Sequence, residues 1–166
     1  MNRIRTAATF VLAFVASTGS ALAEDTDASA NLRQIKRSGV KAFIGFRDEG
    51  TTLEVSGIAT GLDPDLVYVS FVYNAGSVPK GPTACLPNSA SPPLSGSQML
   101  LGYWLPLGSD VRYLVSVKSG PNYAPLSNIG TTSVRQDTMP DLPFPQTPTP
   151  ARFVLKACGK VNIDKD

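Results

Sequence analysis

The chain has 166 residues, 15 basic and 13 acidic side chains, and no histidine at all. Without histidine there is no Ser-His or Cys-His nucleophile and no imidazole metal ligand. A near-neutral charge gives no electrostatic case for binding nucleic acid or an anionic membrane.

In chain order, residues 1–23 have the layout of a secretory signal peptide. Arg3 and Arg5 precede the apolar run Thr9–Ala16, and Ala21-Leu22-Ala23 forms a cleavage site. The apolar run is too short for a permanent span. The expectation is a periplasmic or secreted protein beginning at Glu24, with no membrane anchor left after cleavage. Loss of Arg3 and Arg5 takes the 15 basic residues to 13, equal to the 13 acidic ones. Cys85 and Cys158 are the two cysteines. An even count in an exported chain favours a disulfide, with two free thiols or a two-cysteine metal site as alternatives.

Residues 24–38 are polar, with weak helical spacing at Leu32 and Ile35, and read as a flexible or short helical lead-in to a domain over 39–163. The basic cluster of Lys36, Arg37, Arg33 and Lys41 reads as a solvated segment. The period then switches to two. Lys41–Arg47 and Thr51–Ala59 flank Asp48-Glu49-Gly50, a hairpin signal. In the second of these, Leu53, Val55 and Ala59 face opposite to Thr52, Glu54 and Ser56. A turn at Gly61–Asp65 leads into Leu66–Asn74, rich in β-branched and aromatic residues. Ala75–Ser97 is a long loop with five prolines and three glycines. Gln98–Pro106, Val111–Lys118 and the polar Ile129–Gln136 read as further strands. Thr138–Pro150 holds five prolines and reads as extended, polyproline-like and exposed. Ala151–Ala157 reads as the last strand, with Phe153, Leu155 and Ala157 on its inner face. About seven short strands without a long amphipathic helix predict an all-β Greek-key sandwich or flattened barrel of seven to eight strands.

Several segments taken together resemble the copper/zinc superoxide dismutases. Val55-Ser56-Gly57-Ile58-Ala59-Thr60-Gly61-Leu62-Asp63-Pro64-Asp65-Leu66 is similar to that family's V-x-G-x-x-x-G-L-x-P-G-x approach to its ligand strand. Leu126-Ser127-Asn128-Ile129 resembles L-G-N-[IV], and Ala157-Cys158-Gly159-Lys160-Val161 resembles A-C-G-x-[IV]. The likeness spans roughly residues 51–161 and implies that Cys85 and Cys158 pair as the family's intrasubunit disulfide. Its H-x-H copper ligands fall on Ser70 and Val72, and its zinc-binding Asp falls on Pro125. None of these can replace imidazole. The resemblance therefore implies a retained fold with vestigial ligand positions, no bound metal, no cofactor and no dismutase activity. It also places Ser70 and Val72 on the outer side of their strand, packed shut by loop side chains such as Leu86 and Leu94, with Val67, Val69, Phe71 and Tyr73 in the core.

Other chemistry finds little support. Ser77-Val78-Pro79-Lys80 matches S-x-x-K, but a proline separates the pair where a helical turn is required. Asp63, Asp65 and Asp110 are candidate calcium oxygens, though Asp-Pro-Asp is ordinarily a turn. The acidic residues suggest no apolar pocket of the kind glycoside hydrolysis needs. Tyr68, Tyr73, Tyr103 and Trp104 read mostly as core; an exposed Tyr103/Trp104 strip would mark a binding face. The reading that follows is a non-catalytic binding or structural module acting through its long loops on an unidentified protein or small ligand. The alternatives are a histidine-independent hydrolase or redox enzyme, or a metal-handling protein.

Overall fold

The computed structural model describes residues 26–75, 85, 94, 96–145 and 152–164. These build one antiparallel, nearly closed barrel. Its strands are β1 (Ala28–Gln34), β2 (Lys41–Asp48), β3 (Thr52–Thr60), β4 (Tyr68–Asn74), β5 (Leu100–Tyr103), β6 (Leu105–Pro106), β7 (Val111–Ser119), β8 (Ile129–Asp137), β9 (Phe153–Lys160) and β10 (Asn162–Ile163). One helical turn, α1 (Gly96–Met99), precedes β5. The order around the barrel is β5-β4-β8-β9-β1-β2-β3-β7-β6, with β10 against β1. The non-sequential neighbours β3–β7, β4–β8 and β1–β9 are the Greek-key crossings that the short-strand pattern predicts.

The segment expected as a flexible or helical lead-in is instead a strand of the sheet. Ala28, Ala30 and Leu32 are buried and alternate with Ser29, Asn31 and Arg33, the period of a half-buried strand. Small alanines carry little hydrophobic signal, so the alternation is faint in the sequence. β1 pairs with β2 through Leu32↔Ala42 and then switches to β9 at Arg33↔Cys158. It is therefore the strand that joins the two halves of the barrel. The segment expected as one strand over 98–106 divides at Trp104: β5 pairs with β4, and β6 pairs with β7. These differences, together with β10, raise the count from the expected seven or eight to ten.

β3 alternates as expected, with Leu53, Val55 and Ala59 buried. Its inward glycine, Gly57, makes room for an aromatic: a Cβ there would meet the Trp104 ring at 2.9 Å. Opposite β3, β7 turns Arg112 and Leu114 inward and leaves Val115 and Val117 exposed. The register Ala59↔Arg112 and Gly57↔Leu114 fixes that choice. β8 is polar in sequence yet almost wholly buried, because its inward face lines the barrel and its outward face is covered. On β9 the expected inner set does not stay together. A bulge at Lys156 separates Leu155, opposite Arg135, from Ala157, opposite Val134, so Phe153 and Leu155 lie on the outer side and Ala157 on the inner.

Candidate functional site

Cys85 and Cys158 form a disulfide across 73 residues of chain. The geometry around it depends on Arg135, a residue that passes in the sequence as part of a polar strand. Arg135 is 3% exposed. Its Nε donates to Tyr73 Oη at 2.8 Å, Nη1 to Phe153 O at 2.9 Å and Nη2 to Cys85 O at 2.7 Å. The Tyr73 ring lies 5.8 Å from its guanidinium carbon. A buried cation satisfied by neutral oxygens and a π-face ties β4, β8 and β9 to the cysteine segment.

The expected orientation of β4 is reversed. Ser70 and Val72 point into the barrel, both fully buried. Trp104 Nε1 donates to Ser70 Oγ at 2.8 Å, and the same indole packs over Gly57. Val69, Phe71 and Tyr73 form the outer set. Phe71 stacks edge-on with Phe153 at 5.2 Å, and Phe153 meets Phe144 of the proline-rich segment at 5.4 Å. Both alternating sets of β4 are apolar enough to be buried, so composition does not orient the strand. Ser70 and Val72 thus lie in the core rather than under a loop. Leu94 is buried, while Leu86 and Ser77 lie outside the described residues.

Pro125 caps the 3-10 turn Leu126–Asn128. Asp63 Oδ1 accepts from the Asp65 amide, the ordinary bond of an Asx turn. Among the described residues, no three His, Cys, Asp or Glu side chains are grouped to hold a metal ion.

The described residues do build a cleft of about 440 Å³. One wall is Tyr103 and Leu105, where the chain passes from β5 to β6. The other is Leu142 and Phe144 of the proline-rich segment, with Arg112 and Asp137 also in the lining. Residues 138–143 are exposed as expected, and 146–150 lie outside the described residues. The chain is not simply extended but turns at residues 139–142, where Leu142 N donates to Met139 O at 3.0 Å, and it is clamped. Arg152 donates to Asp137 Oδ1 at 2.9 Å and Oδ2 at 3.0 Å. It also donates to the carbonyls of Met139 at 2.7 Å, Leu142 at 2.8 Å and Pro143 at 2.8 Å. One guanidinium thus gathers three loop carbonyls onto a buried carboxylate, a geometry suited to its planar fork. Phe144 completes the wall by packing on Tyr103 at 5.2 Å.

Charge in the cleft is uneven. Asp137 is neutralised by Arg152. Arg112, 7% exposed, donates to Trp104 O at 3.3 Å and to Asp63 O and Pro64 O at 2.8 Å, with its guanidinium 5.4 Å from the Tyr68 ring centre. The ion pairs among the described residues are Arg47–Glu49 and Arg152–Asp137, so Arg112 has no carboxylate partner there. Burial and the Asp137 charge raise the Tyr103 phenol pKa, opposed in part by Arg152. Tyr103 and Leu105, with Leu107, Met139 and Leu142, are large apolar side chains left exposed on the two cleft segments. Tyr103 is exposed and Trp104 buried, so the aromatic pair splits between wall and core. The arrangement offers apolar walls and one uncompensated cation, which suits binding. No family model matches the chain, and no curated protein is found to be similar to it.

Proposed function

We propose that the protein is an exported, non-catalytic binding module, related in form to the copper/zinc superoxide dismutases but without their metals. It holds an apolar, acid-bearing small ligand in the cleft between Tyr103–Leu105 and Leu142–Phe144. The carrying observation is the exposed apolar side chains concentrated on both walls beside Arg112. Exposed apolar side chains gathered about a concave site are the ordinary mark of a binding surface. The long proline-rich loop supports the same reading, since such loops are often functional. Export is supported by the N-terminal pattern and by the disulfide, which persists in oxidising compartments. Among the described residues, no helix is long and apolar enough to cross a membrane.

Anilinonaphthalene sulfonate, aromatic and anionic, is a suitable first probe. Titration of the purified protein should give saturable fluorescence enhancement. Leu105→Ser with Leu142→Ser, both at exposed positions, should weaken binding by about tenfold or more. Equal binding by the double variant would place any ligand elsewhere.

A further inference from the structure

A second groove lies away from the cleft, on the outer face of β1, β2 and β3, and nothing above requires it. It arises from the same strand switch that closes the barrel. β1 and β2 pair through Leu32↔Ala42; one residue later β1 turns to β9 at Arg33↔Cys158. Where the strands part they leave a groove of about 640 Å³. Its apolar surface includes Phe43 and Ile58, which face each other across the β2–β3 ladder and are half-buried. Arg33 and Lys41, the next residues after the last β1–β2 pair, stand exposed at its rim, with the Thr60 hydroxyl opposite Lys41.

No acidic residue lines this groove. Neither Arg33 nor Lys41 belongs to an ion pair among the described residues. The adjoining turn carries two more cations. Lys36 (φ 50°) and Arg37 (φ 60°) both adopt the left-handed conformation that side chains seldom take. The turn is closed by Ser38 N to Ile35 O at 3.0 Å and docked by Ile35 N and Ser38 Oγ on the Lys156 carbonyl. Four cations therefore collect at one end of the barrel beside an apolar trough. Cations without an acid in the groove lining draw an anion, and the apolar trough rewards a hydrocarbon body.

We propose that this groove binds a single anionic amphiphile, a phosphate monoester of a hydrocarbon chain. The phosphate oxygens sit on the Arg33 fork and the Lys41 ammonium, and the chain lies over Phe43 and Ile58. Arg is suited to hold two phosphate oxygens at once, and Lys adds a point charge. The inference is independent of the cleft described above.

Monododecyl phosphate, kept below its micelle concentration and titrated calorimetrically into the purified protein, tests it. Saturable one-to-one binding is expected. Arg33→Gln with Lys41→Gln, at two exposed positions, should weaken it by about tenfold or more with the thermal transition unchanged. Phe43→Ser should weaken it as well, whereas Leu105→Ser with Leu142→Ser should leave it intact. Neutral dodecyl maltoside should bind at least tenfold more weakly, and inorganic phosphate should compete only poorly. Absence of binding, equal affinity in the Arg33/Lys41 double variant, or equal affinity for the neutral detergent would overturn the proposal. Inorganic phosphate binding as tightly as the ester would reduce the groove to a simple anion site and overturn it too. Binding only to phosphatidylglycerol vesicles would replace it with a membrane-surface contact.

Discussion

Trp104 Nε1 and Ser70 Oγ are joined by a 2.8 Å hydrogen bond inside the barrel, far from any role for Ser70 as a ligand position. The bond satisfies the buried N–H of the chain's single tryptophan. Ser70→Ala strands that donor and should cost about 1–3 kcal/mol. Urea unfolding followed by Trp104 fluorescence reads the loss directly. An unchanged midpoint would mean that the indole finds another acceptor.

The same placement decides what restored histidines would do. Ser70→His with Val72→His puts two imidazoles among Trp104, Gly57 and Val134, in space already filled. Overpacking and unpaired ring nitrogens should leave the variant unfolded or aggregated at 25 °C. The parent protein, with no histidine, should carry no stoichiometric copper or zinc by elemental analysis and should not accelerate superoxide loss. About one tightly held metal per chain would refute this.

Removing the disulfide tests a different part of the frame. Cys85→Ala with Cys158→Ala reopens a 73-residue loop and should cost about 2–5 kcal/mol. Denaturant midpoints with and without reductant should separate by a similar amount in the parent and coincide in the variant.

A pH dependence is centred on Asp48 and Tyr123. Burial pushes the Asp48 carboxyl up, but hydrogen bonds from the Leu126 amide, Tyr123 and the Gly50 amide outweigh it and lower the pKa below 3.8. Tyr123 donates to Asp48 Oδ1 at 2.6 Å, and that bond, with burial and the carboxylate charge, raises the phenol to about 12. The folded state favours the neutral phenol, so its contribution is complete below pH 10 and disappears as pH rises towards about 12. The Asp48 contribution is present above pH 3.8 and is lost as pH falls through the lowered value. The melting temperature of Tyr123→Phe should lie below that of the parent at pH 7, and the gap should close by about pH 12. A constant gap would assign the effect to packing alone.

The alternation in β2, β3 and β7 and the β-branched and aromatic run of β4 make those strands legible in the sequence, and an even cysteine count favours the disulfide seen here. Orientation is a different matter. β4 and β7 each carry an apolar residue on both faces, and only the register with β8 and β3 decides which side turns inward. β1 hides behind alanines, whose burial contributes little hydrophobic signal. Arg112, Arg135 and Arg152 look like surface charges in sequence. Their roles depend on carbonyls brought together from distant segments, such as Asp63, Cys85 and Leu142. The cleft wall is hidden for the same reason: prolines rule out a helix or an inner strand but give neither the turn at residues 139–142 nor what the segment lies against.

Arg152 offers the sharpest test of how that wall is held. Its guanidinium reaches the carboxylate of Asp137 and the carbonyls of Met139, Leu142 and Pro143 at once. A lysine keeps the charge but has a single nitrogen, so Arg152→Lys can pair with Asp137 while releasing most of the carbonyls. Each lost bond removes a modest stabilisation confined to residues 139–143, well away from the barrel core. The global unfolding midpoint should change little, whereas local opening of the segment should rise by about tenfold or more. Amide hydrogen exchange reads that opening, because the Leu142 N–H donates to Met139 O at 3.0 Å and the Met139 N–H to Asp137 Oδ1 at 2.9 Å, and both are released when the segment opens. Arg152→Lys should therefore exchange faster at the Met139 and Leu142 amides. It should also bind anilinonaphthalene sulfonate more weakly than the parent, since Leu142 and Phe144 form one wall of the cleft. Faster exchange with unchanged dye binding would show that the segment is held by Arg152 but forms no part of the binding site. Unchanged exchange would show that the Phe144 contacts with Tyr103 and Phe153 hold the segment without the arginine.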